Sequence, residues 1–155
     1  MEQSEQTLID FVPFKMRGER YSRISSDEHS WQGQPTVMVV DDMEEIRIVA
    51  QMFLEEAGFR VIAASGGKEC LKLHLESEAP VDVIVLDYFM PQMDGGQTFA
   101  ALKARDPNIR VILSSGCLGT LREAQLFQSG ISAILEKPYM PHELVETVCS
   151  VLARV

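Results

Sequence analysis

Three aspartates, two serines and a lysine each stand where a short apolar run stops. Asp41 and Asp42 close TVMVVDD, Asp87 closes VDVIVLD, Ser114 and Ser115 close RVILSS, and Lys137 follows SAILE. A carboxylate ending a buried run is costly unless it stays partly hydrated or finds a cation. Three carboxylates gathered at one edge repel one another unless a hard cation sits among them, and an all-oxygen site open to water suits Mg2+. Each residue alone has an ordinary explanation. Asp42 could cap the helix that follows it, Ser115 could be a strand-end hydroxyl, Lys137 a solvated charge, and Asp94-Gly95 a turn. Their joint placement after separate apolar runs is what points to a site.

The elements that must position these residues are legible from periodicity. TVMVV (36–40), RVIAA (60–64), VDVIVL (81–86), RVILSS (110–115) and SAILE (132–136) have strand length and β-branched content. Between them lie helix-length stretches. MEEIRIVAQMFLEEAG carries Ile46, Val49, Phe53, Leu54 and Ala57 at helical spacing and ends on Gly58, a C-terminal stop. GGKECLKLHLES, GGQTFAALKARD, LGTLREAQLFQSG and MPHELVETVCSVLARV complete the series, with Pro141 suited to a first helical turn. Strict alternation of five strands and five helices predicts a doubly wound α/β domain with a parallel sheet covered on both faces. Ligands in such sheets bind outside the carboxyl ends of the strands, where the six residues stand.

Composition sets the limits on partners and setting. Residues 36–155 carry 10 Lys and Arg against 17 Asp and Glu, and residues 1–35 carry 4 against 6. This acidic balance disfavours nucleic acid and anionic lipid as partners. Cys70, Cys117 and Cys149 are odd in number and lack CxxC spacing, which fits a reducing compartment. No apolar stretch approaches a membrane span, and the acidic start MEQSEQ has the wrong sign for a signal peptide, so a cytoplasmic protein is expected. Residues 1–35 are rich in Ser, Glu and Gln, punctuated by Pro and Gly, and read as an irregular leader or linker before one domain at 36–155. Within the leader, Phe11, Val12, Phe14 and Met16 form an apolar group that could dock on a partner or on the domain itself. His29, His74 and His142 show no ligand spacing and read as surface residues.

VVDD (39–42), LDYFMPQMDGG (86–96), SSG (114–116) and EKPY (136–139), in this order, resemble the receiver domain of two-component response regulators. The resemblance covers residues 36–155 and implies a flavodoxin-like sheet of order 2-1-3-4-5. It implies that Asp87 is the nucleophile that takes a phosphoryl group, from a histidine kinase or a histidine phosphotransfer protein. Asp42, Asp87 and the backbone carbonyl of Phe89 would ligate Mg2+, with Asp41 bound largely through water. Lys137 would pair with one phosphoryl oxygen and Ser115 would hydrogen-bond another, while Gly116 keeps the loop small. Ser114 is the rival hydroxyl, but the spacing from Ser115 to Lys137 fits the family better. Pro138 is the implied site of a cis peptide.

The sequence also departs from the family pattern. Ile134 stands where many members carry an aromatic whose rotation reports phosphorylation, so an aromatic switch is not expected; Tyr139 is read as a packing residue. Phe89 and Cys117 hold the positions that flank a water attacking the phosphate, and neither can orient it, so slow self-dephosphorylation is expected. Phe89 would either cover the phosphate or turn outward with Tyr88. Few residues follow the last helix, so output is expected through contact with a downstream protein, with a homodimer possible. Met1 slightly favours a single-domain regulator over the receiver portion of a hybrid kinase. A haloacid-dehalogenase-like phosphatase is the alternative, but it needs an aspartate where Phe89 stands. A flavodoxin-type cofactor binder would have its phosphate repelled by DDMEE.

Overall fold

A computed structural model of the chain describes residues 34–154. The leader expected at 1–35 therefore lies, apart from Gln34 and Pro35, outside the described residues. Strands and helices alternate throughout: β1 Thr36–Val40, α1 Glu44–Glu56, β2 Arg60–Ala64, α2 Gly67–Glu76, β3 Val83–Asp87, α3 Gly95–Arg105, β4 Val111–Ser115, α4 Thr120–Gln128, β5 Ala133–Glu136 and α5 Pro141–Leu152. The five strands form one parallel sheet in the order β2-β1-β3-β4-β5. This is the flavodoxin-like arrangement that the resemblance implies.

Every residue of β1, β3 and β4 is buried, which explains why these segments read as continuous apolar runs with no alternation. Successive side chains nevertheless serve opposite faces. Val37, Val39, Val83, Val85 and Ile112 pack with Leu54 of α1 and Leu144 and Val148 of α5. Met38, Val40, Ile84, Leu86 and Leu113 pack on the other face with Cys70 of α2, Phe99 and Leu102 of α3 and Leu126 of α4. Truncating a fully buried member such as Leu54 or Leu113 to alanine would cost about 2–5 kcal/mol.

Local chemistry sets the helix ends. Gly58, at φ 100°, terminates the turn after α1 in the left-handed region that disfavours a side chain. Pro141 opens α5 in its first turn. Asp94 and Gln97 form a reciprocal capping box at the start of α3, with Gln97 N–H donating to Asp94 Oδ1 at 2.8 Å. The Asp94-Gly95 pair is thus a helix start rather than an ordinary turn, and D-x-x-Q was the readable signal. The stripe expected on α1 is also displaced: Ala50 and Leu54 face the core, whereas Val49 is half exposed.

Candidate functional site

The order of strands reverses between β1 and β3, since β1 is followed across the sheet by β2 on one side and β3 on the other. The crevice outside these strand ends is where doubly wound sheets hold ligands. Asp41 is the first residue past β1, and Asp87 is the last residue of β3 rather than the first beyond it. Both are almost fully buried, at 3% and 6% exposure, which sets them apart from the other carboxylates of the described residues.

Backbone contacts hold the acidic ends in place. Asp41 Oδ1 accepts from Met43 N–H at 2.9 Å, and its carbonyl accepts from Arg47 Nη1 at 2.7 Å. Met43, not Asp42, is the N-cap of α1, and no side chain caps that terminus, so capping does not account for Asp42. Its carboxylate is exposed, and one oxygen from each of Asp41, Asp42 and Asp87 lies within 4.8 Å of the others. Behind Asp87, Gly95 N–H donates to Tyr88 O at 2.8 Å. A Cβ at Gly95 would come within 2.5 Å of the Asp87 carbonyl oxygen, so only glycine lets α3 begin this close to the end of β3.

Lys137 reaches the cluster from beyond β5. Its Nζ donates to Asp41 Oδ2 at 2.7 Å and to Asp87 Oδ1 at 3.2 Å. The Lys137–Pro138 peptide is cis, as the resemblance implies. Burial alone would lower the pKa of this lysine, but the hydrogen bond and charge of Asp41, with those of Asp87, outweigh it and hold the group protonated. The Asp87 carboxyl is pushed up, first by burial and then by the charge of Asp41, against the opposing pull of Lys137. An ion pair is thus present, yet one lysine cannot neutralise three carboxylates.

Ser114 and Ser115 are each 2% exposed, and neither hydroxyl makes a hydrogen bond of normal geometry. Such buried polar atoms are uncommon and call for an explanation. Ser114 is the register partner of Asp87 and faces the hydroxyl of Tyr139, whose pKa is raised chiefly by burial. Ser115 carries the backbone link to Lys137, whose N–H donates to Ser115 O at 2.7 Å. Spacing set Ser114 aside, but strand pairing brings it to the same sheet edge as Asp87.

The residues that depart from the resemblance are also located. Phe89 is 61% exposed, with its ring edge on Tyr88 at 5.0 Å between centroids, and the Arg122 guanidinium of α4 lies 5.6 Å from the Tyr88 ring centre. Phe89 has therefore turned outward instead of folding over Asp87. Ile134 packs against the cluster beneath α2, α3 and α4, and Tyr139 packs against the α1 and α5 side. Cys117 is exposed beside the pocket, whereas Cys70 and Cys149 are buried. A Cβ at Gly116 would meet nothing within 4 Å, so no protein contact demands glycine there. His74 is not a surface residue as expected: its side chain is 13% exposed and its Nε2 lies 3.8 Å from Asp106 Oδ2.

The sequence matches the profile of the response regulator receiver domain over residues 37–149. The chain belongs to this family. The receiver domain is 32% identical over 118 residues to the transcriptional regulatory protein SrrA of Staphylococcus aureus, a match covering 76% of this chain and 48% of that protein. The chain thus spans about half the length of the curated relatives it matches. Among solved structures it is similar to the chemotaxis protein CheY4 of Vibrio cholerae, with TM-score 0.72 and 26% identity, over 77% of this chain and 99% of that one. The receiver domain of the Francisella response regulator 1452 superposes with TM-score 0.69 at 32% identity, over 77% and 97% of the two chains.

Receiver domains are signalling modules of two-component systems, not enzymes in the usual sense, and they interact with histidine kinases or phosphotransfer proteins. The family binds Mg2+ at an acidic pocket. The donor set here fits that ion, because the three clustered carboxylates supply oxygen ligands only and the exposed Asp42 leaves the site open to water. No helix among the described residues is long and apolar enough to cross a membrane.

Proposed function

We propose that this receiver domain accepts a phosphoryl group on Asp87 from a histidine kinase or a histidine phosphotransfer protein, in the cytoplasm, in a reaction that requires Mg2+. The observation that carries this reading is the Asp87 carboxylate itself, buried at a strand end among two further carboxylates and a lysine. Such a group is held in place before the reaction and needs little reorganisation to attack. Mg2+, held by Asp42, Asp87 and the Phe89 carbonyl with Asp41 bound through water, would offset the charge of the incoming phosphate.

The remaining steps fall to side chains of this chain. An Asp87 carboxylate oxygen attacks the phosphorus, an O–P bond forms as the N–P bond of the donor breaks, and the departing imidazole takes up a proton. Lys137, already bonded to Asp87 Oδ1, turns its charge to a phosphoryl oxygen. The Ser115 hydroxyl, which lacks a partner, donates to another. That new bond draws on the loop between β4 and α4, so the signal is passed to a downstream protein through this loop and α4, with Ile134 staying packed. Small donors serve for self-phosphorylation in the same way, and self-dephosphorylation is slow because neither Phe89 nor Cys117 offers a group that orients water.

Incubation with acetyl phosphate, with and without Mg2+, tests this reading by intact mass. One phosphoryl group should appear only with the metal, map to Asp87 and be absent from Asp42→Ala. Labelling of Asp42→Ala in EDTA would refute the metal assignment, and phosphate mapped to Ser115 would refute the acceptor.

A further inference from the structure

A groove of about 520 Å3 runs between α1 and α5, beside the phosphoacceptor pocket and sharing Lys137 with it. Ile46, Val49 and Phe53 form one wall, and Pro138, Tyr139 and Leu144 form the other. The apolar surface continues outside the groove, because Ile48 and Met52 of α1 are 59% and 53% exposed. A connected apolar surface of this kind on a charged helix marks a contact site. Its lining is apolar apart from Glu45 at one end and Lys137 beside the pocket.

The occupant can be argued from the chain itself. Residues 11–23, FVPFKMRGERYSR, combine Phe11, Val12, Phe14 and Met16 with Lys15, Arg17, Arg20 and Arg23 against the single acid Glu19. Their four apolar side chains match the apolar lining of the groove. Their tether starts in the right place. Gln34 Nε2 donates to Gly58 O at 2.6 Å, and Arg60 N–H donates to Pro35 O at 2.9 Å, so the chain enters β1 beside the C-terminal end of α1. Phe53 lies within one helical turn of that end, and the groove extends from there roughly 12 Å along α1 to Glu45. The intervening residues 24–33 can span about 30 Å when extended, more than the return requires. We propose that residues 11–23 fold back along α1 and seat Phe11 and Phe14 in this groove of the same molecule.

Lys137 also lines the groove, so the occupant would lie against one flank of the pocket and hinder a large donor more than a small one. This consequence rests on the phosphoacceptor reading; the docking does not. The test uses the full chain with p-benzoylphenylalanine replacing Phe14, irradiated at low concentration and mapped by mass spectrometry. A cross-link at monomer mass to Val49, Phe53 or Tyr139 is expected, and a Phe11→Glu substitution in the same chain should reduce its yield at least fivefold. Cross-links only at dimer mass would assign the groove to a second copy, and none in the groove would leave it to another partner; either result overturns the proposal. In parallel, Phe11→Glu with Phe14→Glu should speed labelling by a phosphotransfer protein severalfold and leave acetyl phosphate labelling unchanged. Loss of labelling by both donors would count against the phosphoacceptor reading, whereas an intact cross-link would still uphold the docking.

Discussion

Lys137 Nζ lies closer to Asp41, at 2.7 Å, than to Asp87, at 3.2 Å. The lysine is therefore anchored by a carboxylate other than the proposed acceptor, and it can shift toward a phosphoryl group without losing its main partner. Lys137→Met should leave two buried carboxylates without their cation. In EDTA at pH 7 a loss of about 2 kcal/mol is expected by urea denaturation, below the range for a fully buried pair because the lysine side chain is partly exposed. Millimolar Mg2+ should restore part of it.

Asp87→Asn should abolish phosphate incorporation and also stabilise the metal-free fold. Burial and Asp41 raise the pKa of Asp87 above its unfolded value, so the folded state loses stability as pH rises through that window and the ionised group is unfavourable above it. The asparagine variant should thus gain about 1 kcal/mol at pH 7 in EDTA, a few degrees in Tm. The gain should shrink as the pH falls through about 4, the ordinary aspartate value, below which the carboxyl becomes protonated in both states. Thermal melts across this pH range check the sign.

Ser115→Ala removes a hydroxyl without a hydrogen bond and should lower stability by no more than about 0.5 kcal/mol, whereas Ser114→Ala also removes a partner of the Tyr139 hydroxyl and should cost up to about 1 kcal/mol. They should differ in function. Ser115→Ala is expected to slow acetyl phosphate labelling at least tenfold, and Ser114→Ala to leave it within twofold. The reverse order would move the phosphate contact to the register partner of Asp87.

Phosphate lifetime separates two readings of Phe89. Its ring is exposed and leans on Tyr88, so Phe89→Ala should leave the rate of phosphate loss within twofold. Cys117→Glu places a carboxylate at an exposed position beside the pocket and should shorten the lifetime by orienting water. Chase experiments at fixed Mg2+ read both, and faster loss from Phe89→Ala would restore the ring to a shielding role.

The strands were readable because β1, β3 and β4 are buried on both faces and contain almost nothing but apolar residues. The places of Asp41 and Asp87 followed, since each sits at the end of such a run. Other features depend on tertiary packing. Val49 and Ala50 are both apolar and both border the groove, but only the packing of α1 against the sheet and α5 decides that Ala50 also joins the core. Likewise, the nearness of Ser114 to Asp87 comes from strand register, which no local spacing encodes. The orientation of Phe89 depends on Tyr88, whose ring also meets Arg122, a contact across distant segments.

Lys137 and Asp41 are 96 positions apart, and the sheet that joins their strands is parallel throughout. Contacts of such long sequence separation form late and slowly during folding, because the intervening chain must be ordered first. A nascent chain that has left the ribosome only as far as β4 has its aspartates but no lysine to pair with them. The ion-paired pocket therefore comes into being only when the last strand docks, and the proposed phosphoacceptor chemistry doubles as a check that the whole sheet has assembled.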